Sequence, residues 1–313
     1  MDRKVLRFVC LLTIVMAILA SCIGCSSFPG KAKYIDFKKV EAPPEISAVD
    51  ADSHVLRVAI SSVLLPQETV MHYRAIANFL GQHVNRPVIL IQRKSYAEIA
   101  LLLLNGGADL AFFSSGEYAN YSGFDEIEML ASQQRMGVPY YQGYILVPKD
   151  SEINDISDLK GKTVAFTDPL SYSGYTFLEQ MLRQVNETPE TFFGRYIYTY
   201  SHDKSFRAVA NKVVDAAPVT SIVYDRAKQR QPELAEAVKI IAVSPPAGIG
   251  PVVVGKSVSQ GQREILRKVL LTMHENPDMT PALQGLSIDR FVPPQSELYE
   301  PIRRMLREKR EQL

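Results

Sequence analysis

The side chains best suited to do chemistry lie in the stretch DPLSYSGYTF, residues 168–177. Ser171 and Ser173 supply two hydroxyls, Gly174 lets another group approach the backbone, and an amphipathic run follows directly. The first turn of a helix has backbone N–H groups without partners and a partial positive charge. Two hydroxyls at such a turn can bind an oxyanion without help from a lysine.

Two other interpretations of this stretch are possible. Ser173 could simply cap the helix, or Thr176 and Glu179 could form a capping box. Alternatively, a serine could be a nucleophile with His202 and Asp203 as partners, as in a hydrolase. The stretch lacks the G-x-S-x-G pattern of a nucleophile elbow, and an adjacent His–Asp pair does not readily orient itself as a triad does. The hydrolase interpretation is therefore disfavoured, while anion binding and simple helix capping both stay open.

A second polar loop, YSHDKSF at residues 200–206, also follows a predicted strand and precedes a predicted helix. Ser201 and His202 can both donate hydrogen bonds to an anion. The alternative is a surface histidine beside an aspartate that caps the helix. We expect His202 to contact a ligand because its loop lies at the same kind of strand end as the serine loop.

Two segments of the N-terminal half are candidates for the opposite side of the site. In FFSSGEYANY, residues 112–121, Ser115 and Tyr118 could close over a ligand, although an N-cap with a core tyrosine explains the pattern equally well. In PQETVMHY, residues 66–73, Thr69 or Tyr73 could face the same space.

The elements that must position these loops alternate along the chain. Helical periodicity indicates a helix over residues 66–81, and Ser95 with Glu98 forms a capping box for the next helix. The predicted strands are residues 55–60, 87–92, 108–113, 142–148, 158–168, 195–201, 213–219 and 238–244. Alternating strands and helices predict mixed, mostly parallel sheets flanked by helices, an α/β fold.

The order of the elements predicts two lobes. Two crossing segments, near residues 143–148 and 243–250, bracket the second α/β unit, and the remaining chain is too short for a third domain. We therefore expect residues 55–144 with 246–313 to form lobe 1 and residues 145–245 to form lobe 2. Ligands bind at the carboxyl ends of strands in open α/β sheets, so two such edges should face each other across a cleft.

Composition excludes several classes of function. The formal net charge is +1 and no lysine or arginine block stands out, which argues against nucleic-acid binding. The three cysteines fall at positions 10, 22 and 25, before the folded part. We therefore expect no disulfide framework, no cysteine-based metal site and no cofactor.

The N-terminus predicts export and lipid anchoring. Residues 1–21 have a basic start and a short apolar run, as in a signal peptide, and LASC places a small-residue cleavage site before Cys22. We predict lipid attachment at Cys22, with Cys25 as the alternative. A redox C-x-x-C motif needs a different context. Residues 22–54 indicate a flexible tether, so the protein should be periplasmic or extracellular and held at a membrane.

Several motifs together resemble the phosphonate-binding periplasmic proteins, the substrate-binding components of phosphate, phosphite and phosphonate ABC importers. They are DLKGKTVAFTDPLSYSGYTF, YSHDKSFRAVANKVVDAAPVTSIVYD, P-x-x-T-x-x-x-Y at residues 66–73, and YEPIRRML. The resemblance covers roughly residues 55–310. It implies a two-lobe periplasmic-binding-protein fold of type II, no catalysis, a small oxyanion ligand, an ABC permease and ATPase as partners, and a monomer.

The resemblance also implies roles for individual residues. The oxyanion contacts fall on Ser171, the N–H of Tyr172, Ser173 and His202, and the family tyrosines fall on Tyr118 and Tyr73.

Two departures from the family pattern concern the ligand. Thr220 stands where the family usually has an aspartate, which removes an acceptor for an ammonium group or a protonated oxyanion. Ser114 and Ser115 replace a Gly-Pro pair, and Glu117 is a candidate replacement acceptor. Phosphonate, phosphite and phosphate all stay open as ligands, and a sensor lipoprotein of the same fold is the alternative to transport.

Overall fold

The structure, a computed structural model, describes residues 55–61, 66–121 and 124–311. The predicted signal peptide, the predicted lipid attachment site Cys22 and the whole of the predicted tether, residues 22–54, lie outside the described residues. Within them, every element belongs to one compact unit.

Strands and helices alternate over much of the described part of the chain, as predicted, but over residues 127–166 and 238–255 strands follow one another without an α-helix between them. The strands are β1 Leu56–Ser61, β2 Val88–Arg93, β3 Leu110–Phe112, β4 Ile127–Gln134, β5 Tyr140–Tyr141, β6 Gly143–Pro148, β7 Thr163–Phe166, β8 Arg195–Tyr198, β9 Ala217–Thr220, β10 Val238–Val243, β11 Ala247–Gly248, β12 Val252–Gly255 and β13 Arg290–Val292. The helices are α1 Pro66–His83, α2 Tyr96–Leu104, α3 Ser115–Asn120, α4 Phe177–Arg183, α5 Pro189–Phe192, α6 His202–Ala210, α7 Ser221–Arg230, α8 Pro232–Glu236, α9 Gln260–Thr272, α10 Thr280–Gly285 and α11 Glu300–Glu311.

Lobe 1 is built on a six-stranded sheet in the order β13-β4-β12-β3-β1-β2. Its parallel part, β2-β1-β3, comes from the first two strand–helix–strand units. The predicted capping box is confirmed: Ser95 Oγ accepts from Glu98 N, and the Glu98 carboxylate accepts from the Ser95 backbone. Apolar side chains of α1 such as Ile76 and Leu80 are fully buried against this sheet.

Lobe 2 contains the sheet β10-β6-β9 and the parallel pair β7-β8, joined by a bridge between Val164 and Ala216. Phe206 of α6 and Val223 of α7 pack onto this sheet beside Val219. Between the two lobes, β5 and β11 pair antiparallel, so both crossings of the chain are joined by one short ribbon.

The two-lobe α/β class is confirmed, but antiparallel ladders outnumber parallel ones among the described strands, so the expectation of mostly parallel sheets is corrected. The antiparallel pairs of lobe 1 arise because the chain crosses between the lobes twice. β12 enters lobe 1 from the ribbon and therefore runs opposite to β3 and β4, which run towards it. The predicted lobe boundaries stay a prediction. Helix α11, which the prediction assigns to lobe 1, also contacts lobe 2, because Lys309 Nζ lies 2.6 Å from a Glu179 carboxylate oxygen.

The direction of the strands places polar loops at a shared edge. β1, β2, β3 and β4 of lobe 1 all end towards the ribbon, and β7, β8 and β9 of lobe 2 end facing them. The residues that follow these strand ends meet between the lobes.

Candidate anion-binding site

The facing strand ends enclose a cavity of about 60 Å³. This volume has room for about four water-sized groups, which suits a small oxyanion better than an extended ligand. Six of the predicted site residues line it: Tyr73, Ser115, Ser171, Ser173, His202 and Thr220.

The serine loop begins its helix as a wide turn. Residues Tyr172–Thr176 form a π-helical turn, in which Thr176 N donates to Ser171 O at 2.9 Å. Ser171 is the cap, because its Oγ accepts from Gly174 N at 3.0 Å, whereas Thr176 makes no side-chain capping bond. The capping interpretation was therefore wrong about Ser173 and Thr176, since the capping residue is Ser171. A single π turn of this kind is often found at functional sites.

Gly174 is needed for this loop to lie against the end of β7. A Cβ atom at Gly174 would stand 2.5 Å from Thr167 Cβ and 2.9 Å from Ser171 Oγ, closer than real Cβ contacts allow. Because Thr167 also touches His202, a side chain at Gly174 would displace both polar residues of the site.

The hydrogen bonds of His202 determine which ring nitrogen carries its proton. Nδ1 lies 3.2 Å from the backbone nitrogen of Thr220, which can only donate, so Nδ1 is an acceptor. The Thr167 hydroxyl, also 3.2 Å from Nδ1, fits the same role. The proton of a neutral ring therefore lies on Nε2, 3.4 Å from Ser171 Oγ. Burial lowers the pKa of His202 to about 3, so the ring is neutral at physiological pH.

This tautomer argues against a hydrolase. A histidine that activates a serine needs a free Nε2 lone pair and an Nδ1–H held by a carboxylate. Here Nε2 carries the hydrogen and Nδ1 faces donors. Asp203 follows His202 in the first turn of α6 and takes no part in these bonds to the ring.

The two serine hydroxyls have hydrogens available for a ligand. Ser171 Oγ accepts from Gly174 N and faces His202 Nε2–H, so its own hydrogen can be donated elsewhere. Ser173 Oγ is buried and makes no hydrogen bond of normal length among the described residues, although the Tyr141 hydroxyl lies beside it. Buried hydroxyls without partners are uncommon because desolvation costs free energy. An acceptor inside the cavity would satisfy both.

The side-chain hydroxyls of Thr220 and Tyr172 both form hydrogen bonds within the protein. Thr220 Oγ1 caps α7 by accepting from Ile222 N at 3.3 Å, while its N–H holds His202. The Tyr172 hydroxyl donates to Pro245 O at 2.7 Å, and this side chain does not line the cavity. The predicted ligand contact through Tyr172 N–H stays a prediction.

Of the three predicted site residues on the lobe 1 side, two line the cavity and one does not. Tyr73 lines the cavity and packs edge-on against Phe112, with ring centroids 5.0 Å apart. Ser115 lines it too, although its hydroxyl donates to Gly248 O at 2.6 Å. Tyr118 does not line the cavity, because its ring packs against Tyr299 with centroids 4.8 Å apart.

Glu117 does not line the cavity either. One carboxylate oxygen accepts from Ser114 N at 3.0 Å and completes the capping box of α3, while the other is buried without a partner. Burial raises the pKa of Glu117 well above its usual range, which favours the protonated form. The hypothesis that Glu117 replaces the family aspartate as a ligand acceptor gains no support from this position.

Sequence reasoning missed several residues of the cavity wall, among them Tyr96, Gln133, Arg135 and Tyr141. Tyr96 directly follows the Ser95 cap at the end of β2, so the strand-end argument could have found it. Gln133 and Arg135 lie at the end of β4, a strand that the pattern did not reveal. Burial raises the pKa of both Tyr96 and Tyr141, so both hydroxyls keep their hydrogens.

Within the described part of the chain, no group of three or more His, Cys, Asp or Glu side chains is arranged to hold a metal ion. Of the helices between residues 66 and 311 that the structure describes, none is both long and apolar enough to cross a membrane.

Known proteins resemble this chain in sequence and in fold. The family model described as "ABC transporter, phosphonate, periplasmic substrate-binding protein" matches residues 58–299, well over half of the chain. The chain belongs to this family. The resemblance seen in the sequence motifs is confirmed, and the family consists of binding components of transporters and not of enzymes.

Two curated relatives match parts of the chain. A phosphate-import protein of Mycolicibacterium smegmatis is 28% identical over 165 residues, which cover 49% of this chain and 51% of that protein. A phosphonates-binding periplasmic protein of Escherichia coli is 28% identical over 173 residues, covering 54% and 51%. The matched stretches thus span about half the length of these relatives.

Solved structures share the fold over most of the chain. A binding protein component of an ABC phosphonate transporter from Pseudomonas aeruginosa has a TM-score of 0.75 and 25% identity, with 83% of this chain and 87% of that one covered. A methylphosphonate complex of a Prochlorococcus marinus protein has a TM-score of 0.73 at 18% identity, covering 83% and 99%. The second likeness shows the fold alone.

Proposed function

We propose that this protein is an extracytoplasmic, lipid-anchored solute-binding protein that captures a small phosphorus oxyanion for an ABC importer. The observation that carries the proposal is the convergence of His202 and the hydroxyls of Ser171 and Ser173 on one small buried cavity, with His202 Nε2–H directed at Ser171 Oγ. Phosphonate, phosphite and phosphate all present oxygens that accept such hydrogen bonds.

The chemistry of the wall favours an anion. The serine loop offers donors at a helix start, where the helix dipole adds partial positive charge. Arg135 adds a formal positive charge on the lobe 1 side. Hydrogen bonds to charged groups are worth about 1.5–3 kcal/mol each, so a few of them account for tight binding of a very small ligand.

Contacts between the lobes support a mechanism of hinge closure. Tyr96 N, at the start of α2, donates to Asp168 Oδ2 at 3.0 Å across the cleft. The Lys94 ammonium lies 4.6 Å from the centroid of the Tyr200 ring. A ligand that touches both walls favours this closed arrangement, because its contacts with one wall are lost when the lobes separate.

The place of action follows from the family and the N-terminus. Members of the family are periplasmic binding proteins, and the predicted lipid at Cys22 would hold this one at a membrane beside a permease and its ATPase. We expect metabolic fatty-acid labelling of the full chain, abolished in Cys22→Ala and retained in Cys25→Ala. Labelling that is lost only in the second variant would move the anchor to Cys25.

The site is tested by calorimetric titration with methylphosphonate, phosphite and phosphate. Because Ser173 Oγ makes no hydrogen bond of normal length among the described residues, Ser173→Ala should weaken binding of the preferred anion about 10-fold or more without lowering the melting temperature. Ser151→Ala is the matched control, since Ser151 also has a buried hydroxyl without a partner but lies outside the cavity. Unchanged affinity in Ser173→Ala would contradict the site assignment.

A further inference from the structure

Arg135 is a buried positive charge at the cavity for which the structure provides no carboxylate partner. Its side chain lines the cavity and the residue is only 8% exposed. Among the described residues, no aspartate or glutamate oxygen lies within ion-pair distance of its guanidinium. Arginines in protein interiors are normally paired, because an isolated buried charge is costly.

Neutral groups hold most of the guanidinium in place. Nη1 donates to the carbonyl oxygens of Leu286 and Ser287, just beyond the end of α10, and Nη2 donates to Gln133 Oε1 at 2.8 Å. Nε is buried and has no hydrogen-bond partner. The contacts orient the group but leave its charge uncompensated.

The charged and titratable groups around Arg135 do not neutralise it. Tyr73 of α1 also lines the cavity, and burial raises the pKa of its hydroxyl, which therefore stays neutral. Arg226 of α7 repels the guanidinium, and Asp289, before β13, is exposed and beyond ion-pair distance. Burial lowers the pKa of Arg135 to about 10, so the group is still charged at neutral pH. No aspartate or glutamate is among the residues that line the cavity.

We propose that Arg135 is the specificity residue that makes this site select doubly charged oxyanions over singly charged ones of the same shape. The inference rests on the proposed function and narrows its substrate class to small, doubly charged phosphorus oxyanions. The cavity wall has a fixed cation and hydroxyl donors but no carboxylate. Its electrostatic attraction for a bound ligand therefore increases with the negative charge of that ligand. The wall also offers no partner to an ammonium group on the ligand.

The test compares two ligands of nearly equal shape at pH 8, where methylphosphonate is mainly a dianion and methanesulfonate a monoanion. Calorimetry on the full chain should show methylphosphonate bound at least about tenfold more tightly, the range of one charge-assisted hydrogen bond. In Arg135→Gln this preference should fall to within about threefold, and Arg135→Lys should restore most of it.

A second variant tests the charge without removing the arginine and its contacts to α10. Gln133→Glu places a carboxylate beside the guanidinium, at the cost of one hydrogen bond from Gln133 Nε2 to Gly250 O. We expect this variant also to lose the preference for the dianion. Gln133→Leu removes the hydrogen bond to Gly250 O and also the one from Arg135 Nη2, without adding charge. It should keep the preference, whatever its absolute affinity.

Arg226→Gln is the matched arginine control. Arg226 Nη1 donates to Gly285 O at the end of the same helix, but the residue does not line the cavity. If Gln133→Glu and Arg135→Gln both bind methylphosphonate tightly and keep the native preference over methanesulfonate, the proposed role of Arg135 is wrong. The proposed function would still stand in that case. Failure of the native protein to bind any of methylphosphonate, phosphite and phosphate would overturn the proposed function and this inference together.

Discussion

The buried, neutral His202 predicts a specific loss of stability in acid. An unfolded histidine titrates near 6.5, whereas burial lowers the pKa of His202 to about 3 in the folded protein. Between these values the unfolded state binds more protons, so the free energy of unfolding falls as the pH falls. At pH 5 the separation from 6.5 is about 1.5 units, which corresponds to about 2 kcal/mol at 1.36 kcal/mol per unit.

The measurement compares native protein and His202→Gln by urea unfolding between pH 7.5 and pH 5, without ligand. Burial raises the pKa of Asp168 and Glu117, and carboxyls of this kind change stability in the opposite direction, since their protonation favours the folded state. They are present in both proteins, so the difference between the two curves isolates His202. We expect the native protein to lose about 2 kcal/mol relative to the variant over this range.

The control is His274→Gln, at an exposed histidine, whose curve should run parallel to that of the native protein. The reasoning is refuted if the curve for His202→Gln is also parallel to the native one down to pH 5. That outcome would mean that the ring is not held neutral by burial, and the assigned Nε2–H tautomer would then lose its basis.

Three further predictions concern closure, the lobe 1 core and the serine loop. A Cβ on Gly116 would overlap the backbone of the facing loop of lobe 2, so Gly116→Ala should weaken ligand binding at least about tenfold and leave the complex more expanded in X-ray scattering. Gly261→Ala, where the added atom meets open space, should do neither. Asp109→Asn weakens the ion pairs of two partly buried arginines and should cost about 3 kcal/mol in urea unfolding, whereas Asp150→Asn, at an exposed ion pair, should leave the unfolding curve in place. Tyr172→Phe removes a hydrogen bond to a carbonyl outside the cavity, so it should cost about 1 kcal/mol of stability while calorimetric affinity stays within about threefold; a large loss of affinity would contradict a backbone-only role for this residue.

Much of the site could be predicted because strand-to-helix junctions have a local signature. Ser171, Ser173 and His202 each follow a predicted strand, and the strand-end argument placed all three at one edge before any contact was known. The same argument failed for Arg135 because β4 was not predicted as a strand. It also misplaced Tyr118, since helical periodicity does not distinguish a residue on the cavity side of α3 from one that packs on Tyr299.

The sequence by itself determined the family, the two-lobe α/β class and the hydroxyl donors of the site, because these depend on local patterns of residue type and spacing. Tertiary structure alone decided which strands run antiparallel, which ring nitrogen of His202 carries the hydrogen, and that an unpaired arginine lines the cavity. Each of these depends on residues far apart in the chain. The charge state of a buried group and the direction of a strand are set by the neighbours that folding brings to it, and a local pattern does not contain those neighbours.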